Sequence, residues 1–114
     1  MEVIFDYLPE FEKRAKELAK KYKSVKTDYS LLLDELEKNP FGGEALGHHT
    51  FKYRMAISSK GKGKSGGARV ITYNMKEDGE RRIVITLMTI YDKSVINNVS
   101  DAYLRSLVQL VEHK

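Results

Sequence analysis

The chain of 114 residues has no cysteine, no tryptophan and only two prolines. Without cysteine, neither a disulfide nor a thiolate metal site can hold it together. No apolar run approaches the roughly 20 residues needed to cross a bilayer. The start, Met1 to Tyr7, lacks the basic region and long apolar core of a signal peptide. A cytoplasmic protein with no membrane association is therefore expected. His48 and His49 are adjacent, but no acidic residue lies near enough in sequence to complete a ligand set. They read as polar loop residues, and neither a metal nor a cofactor is expected. The length suits a single domain over residues 1–114, large enough to bury a core without staples.

The most telling lack is of acid. Between Ala45 and Lys76 there is no Asp or Glu, while Lys52, Arg54, Lys60, Lys62, Lys64, Arg69 and Lys76 all fall there. The net charge of +4 thus divides into +7 from this segment and −3 from everything else. A local positive field of this kind attracts a polyanion.

Within the segment, residues 59–69 read Ser-Lys-Gly-Lys-Gly-Lys-Ser-Gly-Gly-Ala-Arg. Gly61, Gly63 and Gly66 match the spacing of a dinucleotide fingerprint, and Gly63-Lys64-Ser65 looks like the end of a P-loop. Both motifs require a helix to follow, so that phosphate meets a helix N-terminus. The residues that follow, Ala-Arg-Val-Ile-Thr-Tyr, are strand formers, and Ser58 stands where the P-loop needs its first glycine. What remains is a flexible cationic connection between two strands, its glycines leaving it mobile.

Elsewhere the periodicity is clear. Val3 to Tyr7 suits a short first strand. Pro9 suits a first helical turn. Phe11, Ala15, Leu18, Ala19 and Tyr22 then mark one helix face, and Val25, Tyr29, Leu32, Leu33 and Leu36 a second, with Ser24 or Thr27 as cap. Asn39-Pro40 and Gly42-Gly43 end this helical hairpin. Thr50 to Ser58 alternates, placing Phe51, Tyr53, Met55 and Ile57 on one side and Lys52 and Arg54 on the other. Ala68 to Met75 and Arg82 to Ile90 read as two further strands joined by an Asp78-Gly79 turn. A last helix starts at Ser100 and buries Leu104, Leu107, Val108 and Val111. The expected class is α+β, with an N-terminal strand, a helical hairpin, an antiparallel sheet and a C-terminal helix. One sheet face should take the helices. The other, or its rim, should carry Lys52, Arg54 and Arg69, joined by Lys93 from beyond the last strand.

Four stretches between residues 36 and 94 stand out: Leu-Glu-Lys-Asn-Pro-Phe-Gly-Gly ending the hairpin, Phe-Lys-Tyr-Arg on the first antiparallel strand, the glycine-lysine segment with Ala-Arg-Val-Ile-Thr-Tyr, and Ile-Tyr-Asp-Lys-Ser. In these residues the sequence resembles the RelE family of bacterial toxins, within it the HigB-like branch, and the resemblance covers nearly the whole chain. The resemblance implies a RelE-like, microbial-RNase-like fold. It implies a toxin of a type II toxin–antitoxin pair that cleaves messenger RNA on the ribosome. A cognate antitoxin, often of helix-turn-helix type, would neutralise it. Carried over by motif, the catalytic positions fall on Lys52, Arg54, Arg69 and Lys93, and the tyrosine of some relatives falls near Val99, with Tyr91 or Tyr103 as substitutes. Lys60, Lys62, Lys64 and Tyr91 would bind RNA. The related ParE branch, which acts on DNA gyrase, and an inactive RNA-binding relative are the alternatives.

The chemistry implied is attack by the RNA 2′-hydroxyl on its own phosphate, with fixed cations stabilising the charge that gathers on the phosphoryl oxygens. Arginines fork onto phosphate and suit Arg54 and Arg69 to that role. A lysine crowded by cations gives up its proton more readily, which suits Lys52 as general base. Lys93 would protonate the leaving 5′-oxygen.

Overall fold

The computed structural model describes residues 2–77, 79 and 81–113. The chain runs β1 (Glu2–Tyr7), α1 (Pro9–Lys21), α2 (Val25–Lys38), β2 (Glu44–Gly47), β3 (Thr50–Met55), β4 (Ala68–Glu77), β5 (Arg82–Asp92) and α3 (Asp101–Glu112). It is an α+β arrangement with one five-stranded sheet, ordered β1-β5-β4-β3-β2. β1 lies parallel to β5, and the other neighbours are antiparallel.

β1 passes straight into α1. The Leu8 amide still donates to the Leu87 carbonyl, at 3.0 Å, and Pro9 opens the helix where its missing N–H costs nothing. α1 and α2 lay Phe11, Leu18, Val25, Leu32 and Leu36 on one sheet face, against Met55, Val70, Ile85 and Leu87. Each aliphatic side chain buried there contributes about 1.5–3 kcal/mol. Ser24 does not cap α2. Its hydroxyl turns to Asp28 and to Ser59 instead. Ser100 does cap α3, accepting from the Tyr103 amide at 3.1 Å.

The expectation that all helices share one face is corrected. α3 packs on the opposite face, where Leu107 and Val108 meet Ile71, Tyr73, Met88 and Tyr91. The cause is that β4 and β5 are apolar on both sides, and a strand buried on both faces needs two covers. The register skips Met88, pairing Ile71 with Thr89 and Thr72 with Leu87. α3 is latched at both ends. Tyr103 bridges Thr89 and Glu10, and Glu112 accepts from Tyr73 at 2.6 Å while lying 2.9 Å from the His48 ring.

Two strands also differ from expectation. β3 stops at Met55 rather than Ser58, because residues 58–60 wind into a 3₁₀ turn. β2 is an additional edge strand. Its turn into β3 puts Gly47, His48 and His49 at φ of 89°, 50° and 63°, a region histidine rarely enters. Of the Asp78-Gly79 turn, Asp78 lies outside the described residues, while Gly79 has the φ of 63° that such a turn requires.

Candidate functional site

The face that α3 leaves uncovered is where the cations gather. Arg54 and Arg69 are direct cross-strand neighbours, and Lys52 lies two residues along β3 on the same side. Lys93 follows β5, its amide donating to the Gly67 carbonyl at 3.0 Å. A groove of about 510 Å³ is lined by Lys52, Arg54, Lys64, Arg69 and Lys93, together with Tyr53, Gly42, Gly43, Glu35 and Glu44. Volume does not distinguish it, since hollows of about 500 and 590 Å³ lie beside the end of β5 and under α3. Five converging cations do.

The groove is less purely basic than the sequence suggests. Glu35 reaches it from α2 and sits 3.2 Å from the Lys64 ammonium, and Glu44 reaches it from β2, 3.9 Å from Lys52. Neither carboxylate belongs to the acid-free segment. Only the fold brings them in.

The four residues expected to be catalytic differ in freedom. Arg54 is exposed and, among the described residues, has no hydrogen-bond or ion-pair partner. Lys52 is half-buried beside Glu44. Lys93 donates to the Asn97 carbonyl at 3.0 Å and to its side-chain oxygen at 2.6 Å, both neutral acceptors, so its charge stays uncompensated. Arg69 is only 6% exposed. Its guanidinium donates to the carbonyls of Lys64, Ala68 and Ser65 at 3.0, 3.1 and 3.3 Å. Three of its five donors are thus engaged, two of them holding the loop, which corrects the expectation of an arginine free to meet phosphate.

The loop residues are corrected too. Lys60 is not an RNA-facing lysine. Its ammonium lies 2.9 Å from the Asp92 carboxylate, with side chains 9% and 5% exposed, and 5.2 Å from the Tyr22 ring centre. Lys62 is exposed, and Lys64 stands on the groove rim. Tyr91 is 6% exposed beneath α3, and its hydroxyl is buried with no hydrogen-bond partner among the described residues. Burial pushes this phenol up, against the opposing pull of Arg69. Its ring cannot stack on a base. Tyr103 is tied to Glu10 and Thr89, and Val99 packs beside α3. None of these three side chains lines the groove.

The glycine-lysine connection is pinned rather than loose. Asp28, 4% exposed, accepts from the Ser58 amide and hydroxyl at 3.0 and 2.5 Å. The Ser59 amide donates to Ser24 at 2.9 Å. At the other end a side chain on Gly67 would collide with the Met55 carbonyl. Gly61 and Gly63 take φ of 72° and 66°, which only glycine adopts without strain.

His48 and His49 lie at the β2–β3 turn and are not among the groove's lining residues. Among the described residues no group of three or more His, Cys, Asp and Glu could hold a metal ion, and no helix is long and apolar enough to cross a membrane. No family model matches the chain.

Proposed function

We propose that the protein is a RelE-type toxin with the fold of that family, an endoribonuclease that cleaves messenger RNA on the ribosome without a metal. One observation carries the reading. Five cations from β3, the glycine-lysine loop, β4 and the end of β5 converge on a single open groove. Gathered like charges cost free energy until a polyanion compensates them.

In this reading Lys52 takes the proton from the 2′-hydroxyl, whose oxygen attacks phosphorus. The bond to the 5′-oxygen breaks, and Lys93 delivers a proton to that oxygen. The products are a cyclic phosphate and a free 5′-hydroxyl. Arg54 forks onto the phosphoryl oxygens, and Arg69 sets the loop that carries Lys64. The cytoplasm and an antitoxin that covers the groove belong to the same proposal.

A second reading is favoured by the pairing of Lys52 with Glu44 and of Lys93 with Asn97. A groove whose lysines are already engaged also suits a ParE-like toxin acting on gyrase, or an RNA-binding relative that does not cut. Single-turnover cleavage of a programmed ribosome, beside a gyrase supercoiling assay, separates these. Arg54→Ala and Lys93→Ala should each lower cleavage by ~10²-fold, the scale of one lost preorganised donor. They should change ribosome binding far less. Cleavage insensitive to both would sink the site. Absence of cleavage with gyrase inhibition would move the protein to the second class.

A further inference from the structure

We propose that Asp92 is a positioning residue: clamped by half-buried Lys60 on the side of the sheet away from the groove, it sets the backbone from which Lys93 enters the groove. The inference rests on the reading of Lys93 as a group that acts on RNA.

Asp92 ends β5 and Lys93 opens the turn that follows; Lys93 lines the groove, whereas Asp92 does not. Asp92 faces the α1–α2 side, where it meets Tyr22, and is 6% exposed. One carboxylate oxygen accepts from the Lys60 ammonium at 2.9 Å, from the Ser94 amide at 3.0 Å and from the Ser94 hydroxyl at 2.7 Å. The other accepts from the Tyr22 hydroxyl at 2.9 Å. The Asp92 carbonyl takes the amides of Val95 and Ile96, both at 3.0 Å. Lys93 is therefore flanked by fixed points, with Gly67 holding its own amide. A polymer lying in the groove meets Lys93, while Asp92 is buried behind it. Asp92 can act on the reaction only through its neighbour.

The partner's identity has a further consequence. Lys60 begins the glycine-lysine connection, and Lys64, four residues on, lines the groove. One ion pair, largely shielded from solvent, thus registers the loop against the end of β5. A buried pair broken on one side leaves an uncompensated charge, so both partners must be present for the joint to hold.

The test combines exchange and kinetics. In Asp92→Asn the Lys93 and Ser94 amides should lose hydrogen-exchange protection by tenfold or more, while central β4–β5 amides keep theirs. Tyr22→Phe, which removes one bond without stranding a charge, should show the same change to a smaller degree and guards against a failure of Asp92→Asn to fold. In single-turnover cleavage, Asp92→Asn should lower the rate about tenfold at unchanged ribosome affinity. Combined with Lys93→Ala it should be no slower than Lys93→Ala alone, because effects through one group do not add. Unchanged protection at Lys93 in the folded variants would overturn the proposal, as would multiplicative losses in the double variant. Lost protection in a protein that never cleaves would keep the positioning role and overturn the nuclease reading instead.

Discussion

Arg69 shows how a charged residue can be read correctly as important and wrongly as available. Its place at the head of a strand after a glycine loop is legible in the chain. Its two bonds to the loop carbonyls of Lys64 and Ser65 are not, because they depend on how the loop folds back over β4. Hydrogen bonds from charged donors contribute more than neutral ones, and Arg69→Ala should cost about 2–4 kcal/mol, seen as a lower urea midpoint. Arg69→Lys should recover only part of this, since an ammonium cannot replace the fork. Wild-type stability with lost cleavage would return Arg69 to the chemistry. Asp92 makes a second prediction at this scale. Burial pushes its carboxyl up, but Lys60, Ser94 and Tyr22 outweigh that and hold it well below the usual carboxylate range. A depressed carboxyl stabilises fully above its unfolded value near pH 4, and the contribution is lost as pH falls through the folded value. Between pH 6 and pH 2.5 the urea midpoint should therefore fall further for wild type than for Asp92→Asn. Equal falls would mean that Asp92 is not the linked group.

Among the elements, the glycine-lysine loop separates what periodicity reveals from what packing decides. The three helices, β1 and the two long strands were legible, because apolar residues at a period of 3.6 or 2 mark a face before any partner is known. β2 was not, since four mostly exposed residues carry no such pattern. The loop read as mobile because glycine and lysine say nothing about Asp28, Ser24 and Asp92, which lie at least 30 residues away from the atoms they hold. For the site, the cluster of Lys52, Arg54, Arg69 and Lys93 was legible from strand alternation and motif. That Lys60 pairs with Asp92 and that Tyr91 lies under α3, away from the groove, was not, because a paired lysine and a free one look alike in sequence. Only Lys62 and Lys64 should therefore carry the loop's share of phosphate binding. Their joint replacement by alanine should flatten the salt dependence of RNA binding, by about 0.7 in the log–log slope for each single-stranded phosphate no longer neutralised. Lys60→Ala should instead lower thermal stability. An unchanged slope in the first variant would make the whole loop a structural clamp.

At the scale of the whole molecule, one sheet serves two environments. Its one face is sealed by α1 and α2, and its other is shared between α3 and the cationic groove. The same sheet places its first-made strand beside its last. Glu2 pairs with Arg82 and Tyr7 with Leu87, across 80 residues of intervening chain. Pairings this distant in sequence form late and slow folding. During synthesis β1 must wait, unpaired, until β5 has been made, and Lys93 follows β5 directly. A chain still short of its nineties has Lys52, Arg54 and Arg69 but neither the strand that frames them nor the residue that completes them. A chain of that length, still tethered to the machine that makes it, has no completed groove. A chain that stops before residue 93 lacks Lys93, the last in sequence of the residues that line the groove.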